Sequence, residues 1–369
     1  MAIILFLGGD VMTGRGIDQA LPYPSAPSLY EAYVSDARTY LHLAEKAHGP
    51  IPRPVDFSYV WGDALRELEL SAPDVRVVNL ETAVARGSDY WRGKGINYRM
   101  SPENIPVLTA AKIGAVALAN NHVLDWGYEG LSETIRTLEK AGIGRAGAGK
   151  NAADAESPAM LDLGPKGRVL VFSMAHGSSG VPPAWAAESG RAGVNLAPDL
   201  SEAVVNRIAA QVRKMKKPGD VVVLSIHWGA NWGYDVPGEQ IRFSRRVIDD
   251  AAVDVVYGHS SHHVKPVEVY RHKLILYGCG DLINDYEGIE GQEAFRPDLA
   301  LMFFAKIDPA SGRLLGLDMT PLQVRKFRLN RASPLDAGWL AGVLNREGKV
   351  FGTGVVVTPE NRLQLRWKQ

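Results

Sequence analysis

Asp254-Val-Val-Tyr-Gly-His-Ser-Ser-His-His-Val264 sets a bunch of imidazoles just past an apolar, strand-like run. Histidines gathered on a loop at a strand end can converge on a metal, and neutral imidazole is the commonest protein ligand for transition metals. Four other stretches share the form, an apolar run that ends abruptly in polar residues able to ligate. They are Ile3-Ile-Leu-Phe-Leu-Gly-Gly-Asp10, Val77-Val-Asn-Leu-Glu81, Val116-Ala-Leu-Ala-Asn-Asn-His122 and Val221-Val-Val-Leu-Ser-Ile-His227. Strand ends that deliver Asp, Glu, Asn and His are how a sheet assembles one metal site from residues far apart in the chain.

Working outward, strand-like runs alternate with helical patterns, which predicts an α/β fold. Ala2–Gly8, Val75–Leu80 and Ala115–Ala119 read as buried strands in the first half, and Arg168–Met174, Val221–Ile226, Val253–Tyr257, Leu274–Tyr277 and Leu299–Ile307 in the second. Helical spacing predicts helices over Ser28–Ala47, Tyr128–Ala141, Asp199–Lys216 and Glu239–Ala252. The last part reads as antiparallel strands, Leu314–Leu322 and Val355–Leu365, around a short helix near Leu335–Asn345. Ala20–Ser28 and Gly177–Trp185 are rich in Gly, Pro and Ser and are predicted to be irregular, as rims or lids or as surface decoration.

The 369 residues suffice for a large buried core in one domain or two. Lys+Arg and Asp+Glu both count 41, so no global field favours nucleic acid or an acidic membrane. The single cysteine, Cys279, excludes an internal disulfide framework and a cysteine-based zinc site, and its apolar surroundings predict a buried thiol. Ala2–Leu7 is too short for a signal sequence or a membrane span, so a cytoplasmic protein without a membrane segment is the expectation.

The strand ends then carry the chemistry. Asp10, in Gly8-Gly-Asp-Val-Met-Thr-Gly-Arg-Gly16, is flanked by glycines that let backbone approach an ion or phosphate; a tight turn with an Asx hydrogen bond explains the same residues. Arg15 there is either an anion clamp or an exposed cation. Glu81 and Asn79 share one face of a strand, so Glu81 is placed either to bridge two cations or to pair with a nearby arginine. In Asn120-Asn-His-Val-Leu-Asp125 an Asn carbonyl can ligate, His122 can act as general acid, and Asp125 is close enough to hold its tautomer. His227, His259 and His262 complete the set, with His263 a spare. Arg15, Asn120 and Arg99 are the candidates for holding substrate.

GDVMTGR (9–15), VNLETAV (78–84), ALANNHVLDWG (117–127), SIHWGANW (225–232), DVVYGHSSHHVKPVEVY (254–270) and LILYGCGDLI (274–283) together resemble the CapA family, also called PgsA, the poly-γ-glutamate capsule biosynthesis proteins. The resemblance implies a calcineurin-like metallophosphoesterase fold, an α/β/β/α sandwich of two mixed sheets flanked by helices. It implies a CapA-like domain over residues 1–325, with 326–369 as an extension packed on it. Carried over by position, Asp10, Glu81, Asn121, His227, His259 and His262 are the implied metal ligands, and His122 is the acid beside the scissile bond. Three departures stand out. Met12 occupies the position of a ligating histidine, the last motif reads His-x-x-His, and Gly280-Asp-Leu282 replaces Gly-Asn-Phe.

The resulting expectation is a hydrolase using one or two divalent metals (Mn, Zn, Fe or Mg) on a small anionic phosphoester or a γ-glutamyl-type amide. Mixed oxygen and nitrogen ligands without thiolate favour Mn, Fe or Zn. The alternatives are a non-catalytic accessory that binds poly-γ-glutamate or a synthase partner, and a metal-free structural relative.

Overall fold

Apolar runs with alternating side chains form two packed sheets in the computed structural model, which describes residues 1–368. Strands β1 (Ile3–Val11), β2 (Val75–Leu80) and β3 (Ala115–Ala117) lie side by side and parallel. Strands β4 (Arg168–His176), β5 (Val221–His227) and β6 (Val255–His259) form a second parallel set. The short β7 (Asp281–Ile283) returns to pair in parallel with β1.

The first sheet has ten strands and becomes mixed where Leu299–Asp308 runs antiparallel to β1 and is followed by Arg313–Val324. The C-terminal hairpin, Thr353–Val357 with Leu363–Trp367, extends the same sheet through Arg313–Val324. The second sheet has seven strands, with antiparallel pairs at Ala159–Asp162 and Val267–Tyr270. The structure is therefore α/β with mixed sheets.

Strand periodicity decides where the core sits. Ile3, Leu5 and Leu7 face Val169, Val171, Val221, Val223 and Val255 between the sheets. Phe6 and Val11 point the other way, into a cluster with Leu131, Ile135 and Leu138 of helix α1 (Gly127–Lys140). Outside the second sheet, Leu170, Phe172, Leu224 and Val256 are covered by Val205, Ile208, Phe243 and Val247 of α2 (Glu202–Met215) and α3 (Gly238–Ala251). Both outer faces thus bury apolar stripes of helices. Among the described residues no helix is long and apolar enough to cross a membrane.

The strand expectations agree with the structure to within a few residues except Val355–Leu365, which is a hairpin of two strands rather than one, and Cys279 is buried. One helix differs. The stretch predicted as Ser28–Ala47 is helical only over Arg38–His48. Ahead of it, backbone hydrogen bonds Leu29 N–H to Ser35 O and Ala37 N–H to Pro27 O close a loop. Leu29 and Ala37 are buried with Tyr40, but Tyr33 between them is 99% exposed, so the residues at helical spacing do not share one buried face.

Candidate metal centre

The pairing register gathers the polar strand ends into rows. Asp10 on β1 sits opposite Asn79 on β2 and opposite Asp281 on β7. On the second sheet, His227 at the end of β5 sits opposite His259 at the end of β6. A side chain at position 9 would prevent this approach, because a Cβ there would lie 1.8 Å from the Gly280 carbonyl oxygen. Asp10 N–H instead donates to that oxygen at 3.0 Å.

The rows meet in one buried cluster. His259 Nδ1 lies 3.0 Å from Asp10 Oδ1 without the alignment of a hydrogen bond. His227 Nε2 lies 3.1 Å from Asn121 Oδ1 and 3.7 Å from Glu81 Oε1. Asn79 Nδ2 donates to Asp10 Oδ1 at 2.9 Å and lies 3.4 Å from His227 Nδ1, so it steadies one carboxylate and one ring. Asp10, Glu81 and His227 each offer a ligand atom within 4.8 Å of the others, and so do Asp10, His262 and Asp281. Ser260 holds φ at +89°, an unfavourable value for a residue with a side chain, and its N–H donates to Asp10 Oδ2 at 3.2 Å.

Several of these atoms lack hydrogen-bond partners among the described residues. Glu81 Oε2 and both ring nitrogens of His259 are buried without a hydrogen bond. Groups of this kind are costly to bury unless something else satisfies them. Carboxylate, amide oxygen and imidazole together form a donor set that fits a divalent transition ion. Burial raises Glu81 well above the usual carboxylate range, and the nearby Asp10 carboxylate adds to the rise. For Asp10 burial also pushes upward, but His259, His227 and the Asn79 amide outweigh it, and the net shift is downward. Burial is the main cause of the fall of His227 to about 3. Neutral imidazole, the form that ligates, is therefore the form favoured at His227, whereas at His262 burial pushes downward but Asp281 outweighs it and the net shift is upward.

His122 stands at the edge of the cluster, its Nε2 3.8 Å from Glu81 Oε1. Its Nδ1 is 2.6 Å from Asp125 Oδ2 and 2.8 Å from Lys94 Nζ, and Lys94 also pairs with Asp125. Burial, then the Lys94 charge, lowers His122 to about 4 against the pull of Asp125. Beside His262 opens a cavity of about 280 Å³, with Asn231, Trp232, Tyr286, Ile289 and Gln292 on its walls.

The structure thus brings together Asp10, Glu81, Asn121, His122, Asp125, His227, His259 and His262. His262 faces Asp281, with Nδ1 2.9 Å from Oδ1, whereas His263 packs among Trp232, Tyr234 and Phe295. The spare histidine is therefore the one turned away.

The three residues expected to hold substrate are differently placed. Arg15 reaches the cavity wall, but it is buried, pairs with Asp285 and Glu31, and lies against the rings of Tyr40 and Tyr98. The reading of Arg15 as an exposed cation fails for that reason. Asn120 is fully enclosed, donating to Asn79 Oδ1 and Leu80 O while accepting from His122 N–H. Arg99 donates to the carbonyls of Gly87 and Ala26 and stacks over Trp126. Asn120 is engaged by Asn79, Leu80 and His122, while the two Nη atoms of Arg99 bond loop carbonyls and its Nε has no hydrogen-bond partner among the described residues.

Two residues of the cluster escaped the sequence reading. Asp281 follows an apolar run, the same signal that marked the other ligand positions. Lys94, in Trp91-Arg-Gly-Lys-Gly95, follows no strand and carries no such signal.

Residues 4–286 match the family model described as bacterial capsule synthesis protein PGA_cap. The chain is 48% identical over 364 residues to a probable polyglutamine synthesis accessory protein of Mycobacterium tuberculosis, covering 98% of this chain and 96% of the relative. It is 25% identical over 321 residues to the PGA biosynthesis protein CapA of Bacillus subtilis, covering 86% and 70%. With the capsule biosynthesis protein CapA of Bacillus anthracis the identity is 26% over 196 residues, covering 52% and 45%.

Proposed function

This chain belongs to the bacterial capsule synthesis protein family, also known as CapA, and from that premise we propose a role in poly-γ-glutamate-type polymer biosynthesis, exercised as a metal-dependent hydrolase of calcineurin-like architecture. The observation that carries the metal reading is the buried convergence of Asp10, Glu81, Asn121, His227 and His259, where Glu81 Oε2 and the His259 nitrogens have no hydrogen-bond partner among the described residues. Those residues, with His262, would hold one or two divalent ions of Mn, Zn, Fe or Mg. When bound, such an ion acidifies water and polarises the scissile group.

The protein's own residues do the rest. His122 directs Nε2 toward the cluster and would donate a proton to the leaving group. Asp125 accepts from Nδ1–H, which fixes the ring and supports its protonated form. Lys94 opposes this by placing an ammonium beside the same nitrogen, so an anionic substrate that drew Lys94 aside would make His122 a readier acid. The substrate is a phosphoester or a γ-glutamyl-type amide.

The test is metal analysis of protein purified without chelator, then turnover of p-nitrophenyl phosphate, bis(p-nitrophenyl) phosphate and γ-glutamyl-p-nitroanilide with each metal added. Metal-dependent turnover is expected. With a substrate whose leaving group is poor, His122→Ala should lower kcat by about 10²-fold or more at unchanged metal content. The word accessory in the name of the mycobacterial relative supports a second reading, a non-catalytic component that binds polymer or a synthase. Polymer binding with no turnover of any substrate would favour that reading.

A further inference from the structure

We propose that Asp281 is a direct ligand of a second, oxygen-rich cation site formed with Asp10, Glu81 and His262, in place of the nitrogen ligand that Met12 cannot supply. The inference rests on the metal reading above and deepens it by assigning a residue and a metal preference.

Placement is the first argument. Parallel pairing of β1 with β7 puts Asp281 opposite Asp10, and the ligand atoms of Asp10, His262 and Asp281 lie within 4.8 Å of one another. All three residues are buried. Asp281 Oδ1 faces His262 Nδ1 at 2.9 Å, and Oδ2 accepts from Asn284 Nδ2 at 2.9 Å. A carboxylate has about four lone-pair sites, so these two contacts leave it capacity to ligate.

The second argument is charge. Asp10, Glu81 and Asp281 bring three carboxylates into one enclosed volume. The neighbouring Arg15 is already paired with Asp285 and Glu31. Glu81 Oε2, 1% exposed as a residue, has no hydrogen-bond donor among the described residues. Buried carboxylates at close range need compensation, and a divalent ion provides it.

Met12 supplies the third argument. It is fully buried, and its sulfur lies 4.0 Å from the Tyr286 hydroxyl, which in turn lies 3.4 Å from His262 Nε2. A thioether is a soft, weak donor to Mn²⁺ or Mg²⁺. The carboxylate of Asp281 offsets that loss and makes the site harder. Three carboxylates and one imidazole favour Mn²⁺ or Mg²⁺, whereas Asn121, His227 and His259 beside the shared Glu81 favour a softer ion such as Zn²⁺.

A different role for Asp281, orienting His262 without touching the ion, also lowers affinity when removed, by 10- to 100-fold as an order of magnitude. The experiment must therefore report direct bonding. Co²⁺ is titrated into metal-stripped full-length wild type and Asp281→Cys, and absorbance is followed in the near ultraviolet. Wild type should bind two ions without a thiolate-to-cobalt band. Asp281→Cys should develop that band, saturating at one cobalt per chain, because its sulfur would bond the ion. Two bound ions without the band would overturn the inference and leave the metal reading intact. One ion in wild type would do the same. No ion in wild type would overturn both. If Asp281→Cys fails to fold, Asp281→Asn replaces it in an Mn²⁺ titration read by the electron paramagnetic resonance of the free ion. The second ion should then bind at least about tenfold more weakly with the first unchanged, and Met12→His added to Asp281→Asn should restore it. Unchanged affinity in Asp281→Asn, or no gain from Met12→His, would overturn the inference.

Discussion

At the scale of single residues, the charge of Arg15 illustrates how context decides a role. Its guanidinium pairs with Asp285, whose side chain is enclosed and also accepts from the Gly16 N–H and the Tyr98 hydroxyl. Removing one partner of a buried pair leaves the other charge uncompensated, which costs about 3–5 kcal/mol. Arg15→Met should destabilise the protein by that amount in urea unfolding. A loss under about 1 kcal/mol would show that the guanidinium is not needed by Asp285 and is free to meet a substrate. Single residues were unevenly legible in the sequence. Asp10, Glu81, His227 and His259 could be picked out because an apolar run points at each. Lys94 could not, since its place beside His122 depends on how a loop folds over the strand ends. Nor could the burial of Asn120 and Arg99, because their partners are mostly backbone carbonyls remote in sequence.

At the scale of elements, the close approach of β1 to the turn before β7 sets the position of Asp10. Gly9 makes that approach, and Gly280 turns the chain there at φ +74°. Gly9→Ala forces a methyl group into a backbone carbonyl, which cannot swing aside as a side chain would. Overpacking of this kind costs about 1–3 kcal/mol or more. The expected result is a destabilised protein with reduced metal stoichiometry, measured by thermal unfolding and elemental analysis. Wild-type values for both would mean that the strand separation is looser than the register implies. The failed helix over residues 28–37 belongs to this scale too. Periodicity was present there, but the chain buries Leu29 and Ala37 by closing a loop and leaves Tyr33 exposed, so the period did not correspond to one helical face. In α1, α2 and α3 the same periodicity found a sheet to cover.

At the scale of the whole molecule, the candidate ligands come from both sheets, with Asp10, Glu81, Asn121 and Asp281 on strand ends of the first and His227, His259 and His262 on the second. An ion held there would bind the folded protein and not the unfolded chain, so it should stabilise by mass action. At free Mn²⁺ a hundredfold above Kd the gain is about 2.7 kcal/mol. Stripping the protein with EDTA should therefore lower Tm, and added Mn²⁺ should recover it. A Tm indifferent to both would count against an ion joining the sheets. The sequence by itself determined the α/β alternation, most of the longer strands, the longer helices and the residue types at the strand ends, because these follow from side-chain period and burial along a few neighbouring positions. Only the tertiary structure decided that Asp281 stands opposite Asp10, that His262 rather than His263 turns inward, and that Arg15 is paired. Each of those outcomes depends on strand register or on side-chain partners, the farthest about 270 positions away in the chain.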